Sequence, residues 1–174
     1  MSCPDLVTDL TLDEALAVLE PYFDAVKDRY LDQGFERVSR TRLYCAPWVR
    51  DSPRHFAACR EDGRAIIAAP ELAELSQEIV VAIKAHELGH AVDFLYPGEF
   101  WLGRDGGIRR QNLDEVDDTQ RARVLRAWES RDAHLVEVTA DRIAEHVMGE
   151  PIGYVGPCSL QCFSRGKARP QSLR

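Results

Sequence analysis

The chain has no uninterrupted apolar run near the roughly 18 residues of a membrane-spanning helix. It has no internal repeat and no excess of basic charge. The first absence removes a helical membrane protein, and the second removes solenoids and propellers. The third argues against nucleic acid or an anionic membrane surface as the main partner, because Lys+Arg 22 against Asp+Glu 29 leaves −7. Residues Met1 to Asp13 are short of both apolar and basic side chains, so no secretory signal is expected there. Cysteine is scarce and odd in number: Cys3, Cys45, Cys59, Cys158 and Cys162. Five in 174 residues do not make a disulfide framework. Reduced thiols in a cytoplasmic protein are the expectation.

What is present suits one soluble domain, with 45% hydrophobic and 29% charged residues. The charge is uneven. From Ser164 to Arg174 there are four bases and no acid, so removing those four charges from −7 leaves −11 for the rest. Thr11-Leu12-Asp13-Glu14 opens with a capping-box pattern, and apolar residues follow at helical spacing to Gly34. Pro21 interrupts this run, which predicts one broken helix or two short ones over residues 11–33. Short segments around Val38–Cys45, His55–Arg60 and Arg64–Ala69 predict about three antiparallel strands. Asp62-Gly63 marks a hairpin between the last two. Residues 74–96 hold the strongest helix, with Ser76 as N-cap. A Gly-rich loop over 97–111 and helices over Asp117–Arg131 and 132–148 follow, the last ended by Gly149. Residues 149–174 read as an irregular, basic, Cys-containing tail.

The strong helix carries His86-Glu87-Leu88-Gly89-His90, which matches H-E-x-x-H. Two histidines four apart lie one turn apart on one face, so both imidazoles can reach a single zinc ion at roughly 2.0–2.1 Å. Glu87 projects beside them, placed to take a proton from a zinc-bound water without being a ligand. With 5 His and 14 Glu in the chain, chance alone produces such a match about one time in a hundred. The flanks Ile79-Val80-Val81-Ala82-Ile83 and Ala91-Val92 are those of a buried helix. Two histidines and a glutamate there need partners.

A third ligand is required. The metzincin pattern asks for Gly and His at positions that hold Asp93 and Tyr96, so that pattern fails. Glu137 and Asp141 on the later helix are i and i+4. The first can ligate zinc while the second accepts the N–H of a ligand histidine. Small Ala140 and Ala144 on the same face permit a close helix approach. Rivals for the third position are His134, Asp93, Asp141 and Glu145. His134 is alternatively a group that polarises the substrate carbonyl or its oxyanion, a role for which Tyr154 and His146 are also candidates. His55 has no motif around it.

The pair of motifs resembles the gluzincin zinc metallopeptidases, with H-E-x-x-H on one helix and E-x-x-x-D on a later one. The single-lobe layout looks like minigluzincins. Ala85–His90 and Glu137–Ala144 are also similar to regulatory peptidases of the ImmA/IrrE type. The resemblance covers residues 64–148 at most and rests on about ten of them. It implies an α+β zincin-like fold: N-terminal helices, a small twisted antiparallel or mixed sheet of three to four strands whose edge strand binds extended substrate, and the motif helix packed on the glutamate helix. The expected organisation is one domain over 1–174, with an N-terminal helical segment at 11–33, a catalytic core at 35–148 and the tail.

The expected cofactor is one catalytic Zn2+ held by His86, His90 and Glu137, with Asp141 behind a histidine and Glu87 as general base. The expected function is peptide-bond hydrolysis, with a peptide or protein as substrate and neither nucleic acid nor membrane as partner. Phe100 and Trp101 are candidate substrate contacts, or core aromatics. A non-catalytic or latent regulatory zincin is the alternative, although a binding module has no use for Glu87. A plain helical domain with an accidental motif is the third reading. Cys158 and Cys162 suggest a disulfide, a structural metal pair, or a thiolate that fills the open zinc position and keeps the enzyme latent.

Overall fold

A computed structural model describes residues 8–47, 57–59 and 65–152. Helix α1 runs from Leu12 to Asp32 and starts at the expected capping box. Thr11 accepts from the Glu14 N–H, and the Glu14 carboxylate accepts from the Thr11 N–H at 2.8 Å. Pro21 does not break it, contrary to the sequence expectation. Pro21 and Ala17 both lie on the exposed side, where the carbonyl deprived of its partner faces water. The buried stripe Ala15, Leu19, Phe23, Val26 and Tyr30 stays in phase across the proline.

The sheet is of the mixed kind rather than antiparallel throughout, and its first segment differs from expectation. The segment from Val38 divides into a 3-10 helix, Glu36–Arg40, and a strand β1, Arg42–Cys45. Strands β2, Ala57–Cys59, and β3, Ala65–Ala68, pair antiparallel as the Asp-Gly signal suggested, but β1 pairs with β3 in parallel. The order is β1-β3-β2, with Leu43 opposite Ile66 and Ala58 opposite Ile67. β3 takes the centre because Ala65, Ile66 and Ala68 are all buried, a pattern that suits a strand covered on both faces.

After a 3-10 turn at Pro70–Glu74, helix α2 spans Gln77–Leu95 with Ser76 at its N-cap. The Gly-rich segment that follows is not a plain loop. Strands β4, Phe100–Leu102, and β5, Ile108–Arg110, form an antiparallel hairpin, with three of the four glycines in its turn at 103–107 and Gly98 before β4. Phe100 enters the core beside Phe35, with ring centroids 5.9 Å apart, which removes it from the substrate contacts; Trp101 remains exposed. Arg110 lies over Phe35, Tyr96 and Phe100 and bonds Glu99 at 3.0 Å, pinning the hairpin to this aromatic group.

Helix α3, Asp118–Glu129, starts at Asp117, whose side chain accepts from the Gln120 N–H. Helix α4, Ala133–Met148, starts at Asp132 in the same manner and ends at Gly149, whose φ of 73° is left-handed. The resulting α+β arrangement buries one core between α1, the sheet, α2 and α4. The closest helix pair is α2 and α4, which run antiparallel: His86 meets Asp141, and Asp93 meets Arg131. Among the described residues, no helix is long and apolar enough to cross a membrane.

Candidate metal centre

The α2–α4 seam is set by a glycine. A Cβ on Gly89 would lie 2.3 Å from the carbonyl oxygen of Ala140, so backbone approaches backbone at this point. Any larger residue would have to push α4 away. His86 stands one turn before Gly89 and His90 directly after it. Across the seam, Glu137 lies one turn before Ala140 and Asp141 directly after it. Amphipathic spacing within each helix and the small contact between them thus bring four polar side chains to one place.

Their geometry is tight. His86 Nε2 lies 3.0 Å from His90 Nε2 and 3.1 Å from Glu137 Oε2, and His90 Nε2 lies 3.3 Å from the same oxygen. A tetrahedral ion with ligand bonds of roughly 2.0–2.1 Å holds its donors about 3.3–3.4 Å apart. The three donor atoms match that spacing to within a few tenths of an ångström. They form a group able to hold a metal ion. Asp141 is excluded as the third ligand by its own contact. Its Oδ1 accepts from His86 Nδ1 at 2.7 Å, which directs the His86 Nε2 lone pair at the donor group.

The electrostatics follow from burial and pairing. Burial works against a charged His86, yet hydrogen bonds to Asp141 and Glu137 outweigh it and carry the ring's pKa up to about 10. The same contacts, from His86 and His90, hold Glu137 far below the usual carboxylate range. Glu87 is half-buried, and desolvation raises its pKa against the opposing pull of His86, His90 and Lys84. It therefore faces the cluster as a carboxylate unusually ready to accept a proton.

The other sequence candidates separate clearly. His134 is exposed, one turn before Glu137, and outside the donor group. Asp93 is engaged by Arg131 and Trp128, and Glu145 by Arg142. His146 is exposed in the last turn of α4, nine residues and about 13 Å of helix beyond Glu137. That distance removes it from the oxyanion role. Tyr154, His55, Cys158 and Cys162 lie outside the described residues.

Three features escaped the sequence reading. Lys84 is fully buried, three residues before Glu87, and its Nζ has no hydrogen-bond partner among the described residues. Burial lowers its pKa to about 8, only partly opposed by Glu87 and Cys45. Helical spacing alone could have flagged it. Tyr30 donates its hydroxyl to the Ala85 carbonyl at 2.6 Å, tying α1 to the residue before His86. The Asp93–Arg131–Trp128 group left no local signal, because Asp93 is 35 and 38 residues from its two partners. Comparison with protein-family models, curated proteins and solved structures found no match for the chain.

Proposed function

We propose that the chain is a zinc-dependent peptidase of the gluzincin kind, with a zincin-like arrangement of α2, α4 and the sheet. The observation that carries the reading is the convergence of His86, His90 and Glu137 at tetrahedral spacing with Glu87 beside them. Two imidazoles and one carboxylate are a borderline-soft donor set that suits zinc better than calcium or magnesium, which prefer oxygen alone. Asp141 supplies the carboxylate behind a ligand histidine that such centres use to fix the ring and raise its basicity.

When bound, zinc supplies Lewis acidity that polarises a scissile carbonyl and brings the pKa of water down toward roughly 7. The protein's own residues do the rest. Glu87, with its proton affinity raised by burial, takes the proton from the attacking water and delivers it to the departing amine. His134, exposed one turn before Glu137, is the candidate to meet a substrate oxygen. Strand β2 is an edge of the sheet and packs beside α2, which supports pairing with an extended peptide there.

The test is a peptide-library cleavage assay on zinc-loaded protein with metal content measured in parallel. Glu87→Gln is expected to abolish cleavage while zinc stays bound. Glu137→Ala is expected to weaken zinc more than His134→Ala does. A wild-type chain that takes up no metal would sink the centre itself. Zinc without cleavage of any peptide would leave a binding protein.

A further inference from the structure

Asp93 lies one turn beyond His90 and is 4% exposed, so its charge needs a partner within the protein. Arg131, in the short link between α3 and α4, places Nη1 and Nη2 on its two carboxylate oxygens at 3.1 and 2.5 Å. Trp128 Nε1 adds a third donation at 3.2 Å. The fork-to-fork pair is little exposed on both sides, the setting in which such a contact has a defined geometry and a high cost of rupture. Trp128 also packs against Phe94, with ring centroids 6.5 Å apart.

We propose that the Asp93–Arg131–Trp128 group is a positioning device for the metal centre, setting the angle of α4 on α2 so that Glu137 completes the donor set. α4 acts as a lever on α2. Its closest approach is where Ala140 meets Gly89, and the residues it buries run from Thr139 to Met148. Ala133 to Val138 include no fully buried side chain, so packing alone sets the angle of this end, which carries Glu137, only loosely. Glu137 is three residues from that pivot, about 4.5 Å of rise, and Ala133 at the helix start is about 10 Å from it. A tilt of about 5° around the pivot displaces the Glu137 backbone by about 0.4 Å. Metal–ligand distances hold to about 0.2 Å, so this small rotation is enough to spoil the site. Arg131 grips the end of the lever at which rotation is largest. His86 and His90 share α2 with Asp93 and are not carried along when α4 tilts, and Asp141 sits next to the pivot, so the device acts chiefly on Glu137.

This inference rests on the zinc-centre reading, and the experiment separates the two. Zinc affinity is measured by competition with a fluorescent chelator for the wild type, Asp93→Asn, Glu137→Ala and the double variant. Asp93→Asn is expected to weaken zinc about tenfold in the wild-type background and by less than twofold once Glu137 is absent. A general loss of folding would weaken zinc equally in both backgrounds, and that outcome overturns the proposal, as does an unchanged affinity in Asp93→Asn. If Asp93→Asn does not fold, Trp128→Phe, which removes only one N–H donor, enters the same cycle with an expected loss of about threefold. A wild type that binds no zinc refutes the centre, and the positioning role falls with it. In the metal-free protein, Asp93→Asn is expected to speed amide exchange in residues 135–138 more than in 143–147; equal protection in both turns counts against the lever.

Discussion

The α2–α4 seam and helix α3 are adjacent and both helical, but they are held by different means. α4 buries Thr139, Ala140, Asp141, Ile143, Ala144, Val147 and Met148, whereas α3 buries none of its twelve residues fully. The seam is fixed by a glycine against a carbonyl and by charged groups that cannot be left without partners. α3 is held along one edge: Val124 and Leu125 border the Gly98 turn, Arg121 bonds the Leu113 carbonyl, and Trp128 reaches Asp93. Precision of a few tenths of an ångström therefore resides in the seam. α3 needs only to deliver Trp128 and Arg131 to one place.

The sharpest way to break this contrast is Gly89→Ala. In an exposed helix the change would gain about 1 kcal/mol of propensity. Here the new methyl meets the Ala140 backbone at 2.3 Å, and backbone cannot rotate aside. A net loss of about 3 kcal/mol is expected, together with loss of zinc, because separating the helices moves Glu137 away from both histidines. Urea unfolding of the metal-free variant measures the first effect and equilibrium dialysis the second. A stabilised, zinc-binding Gly89→Ala would show that the seam is looser than its geometry implies.

Much of the centre was legible because it is local. His86, Glu87 and His90 declare themselves by spacing, and Glu137 with Asp141 by theirs, since one helical turn is a property of neighbours in sequence. The helix ends were equally readable at Thr11, Asp132 and Gly149, where a cap residue is its own signal. What failed was non-local. Nothing in Arg42–Cys45 announces that its partner is Ala65–Ala68 in parallel, since that pairing is decided by which strand is most fully covered. The hairpin at Phe100–Arg110 was obscured by five residues of turn rich in glycine, which drew attention from the strands on each side. Asp93 read as a possible ligand because its destination, Arg131, lies 38 residues away.

Lys84 sharpens the comparison from the other side of α2, near Cys45 of β1, as a buried cation with no hydrogen-bond partner among the described residues. Burial brings its pKa down to about 8 in the folded protein from the ordinary 10.5 of a solvated lysine, a depression worth about 3 kcal/mol. The folded state binds fewer protons than the unfolded chain between these values, so stability rises with pH through that window. The cost is fully present below pH 8 and vanishes above about pH 10.5. Lys84→Met is accordingly expected to stabilise the metal-free protein by up to about 3 kcal/mol at pH 7, with the advantage shrinking steadily as pH rises. Denaturation of both proteins at several pH values checks this. A destabilised Lys84→Met at pH 7 would mean that the ammonium has a partner whose worth exceeds its burial.

The smallest effect is expected on α3, and it is the control that gives the others meaning. Ala127 is exposed and directly precedes Trp128, so Ala127→Lys alters charge and bulk one residue from the group that grips Asp93. Its side chain nevertheless points to solvent, and lysine is a good helix former. Stability is expected to change by less than about 0.5 kcal/mol and zinc affinity by less than twofold. Proximity in sequence and contact in space make opposite forecasts for this residue. If the leverage argument is right, only the Trp128 N–H and the Arg131 fork transmit anything from α3 to Glu137, and Ala127 transmits nothing. A loss of more than 1 kcal/mol in Ala127→Lys would place α3 in the same rigid unit as the seam and erase the distinction between them.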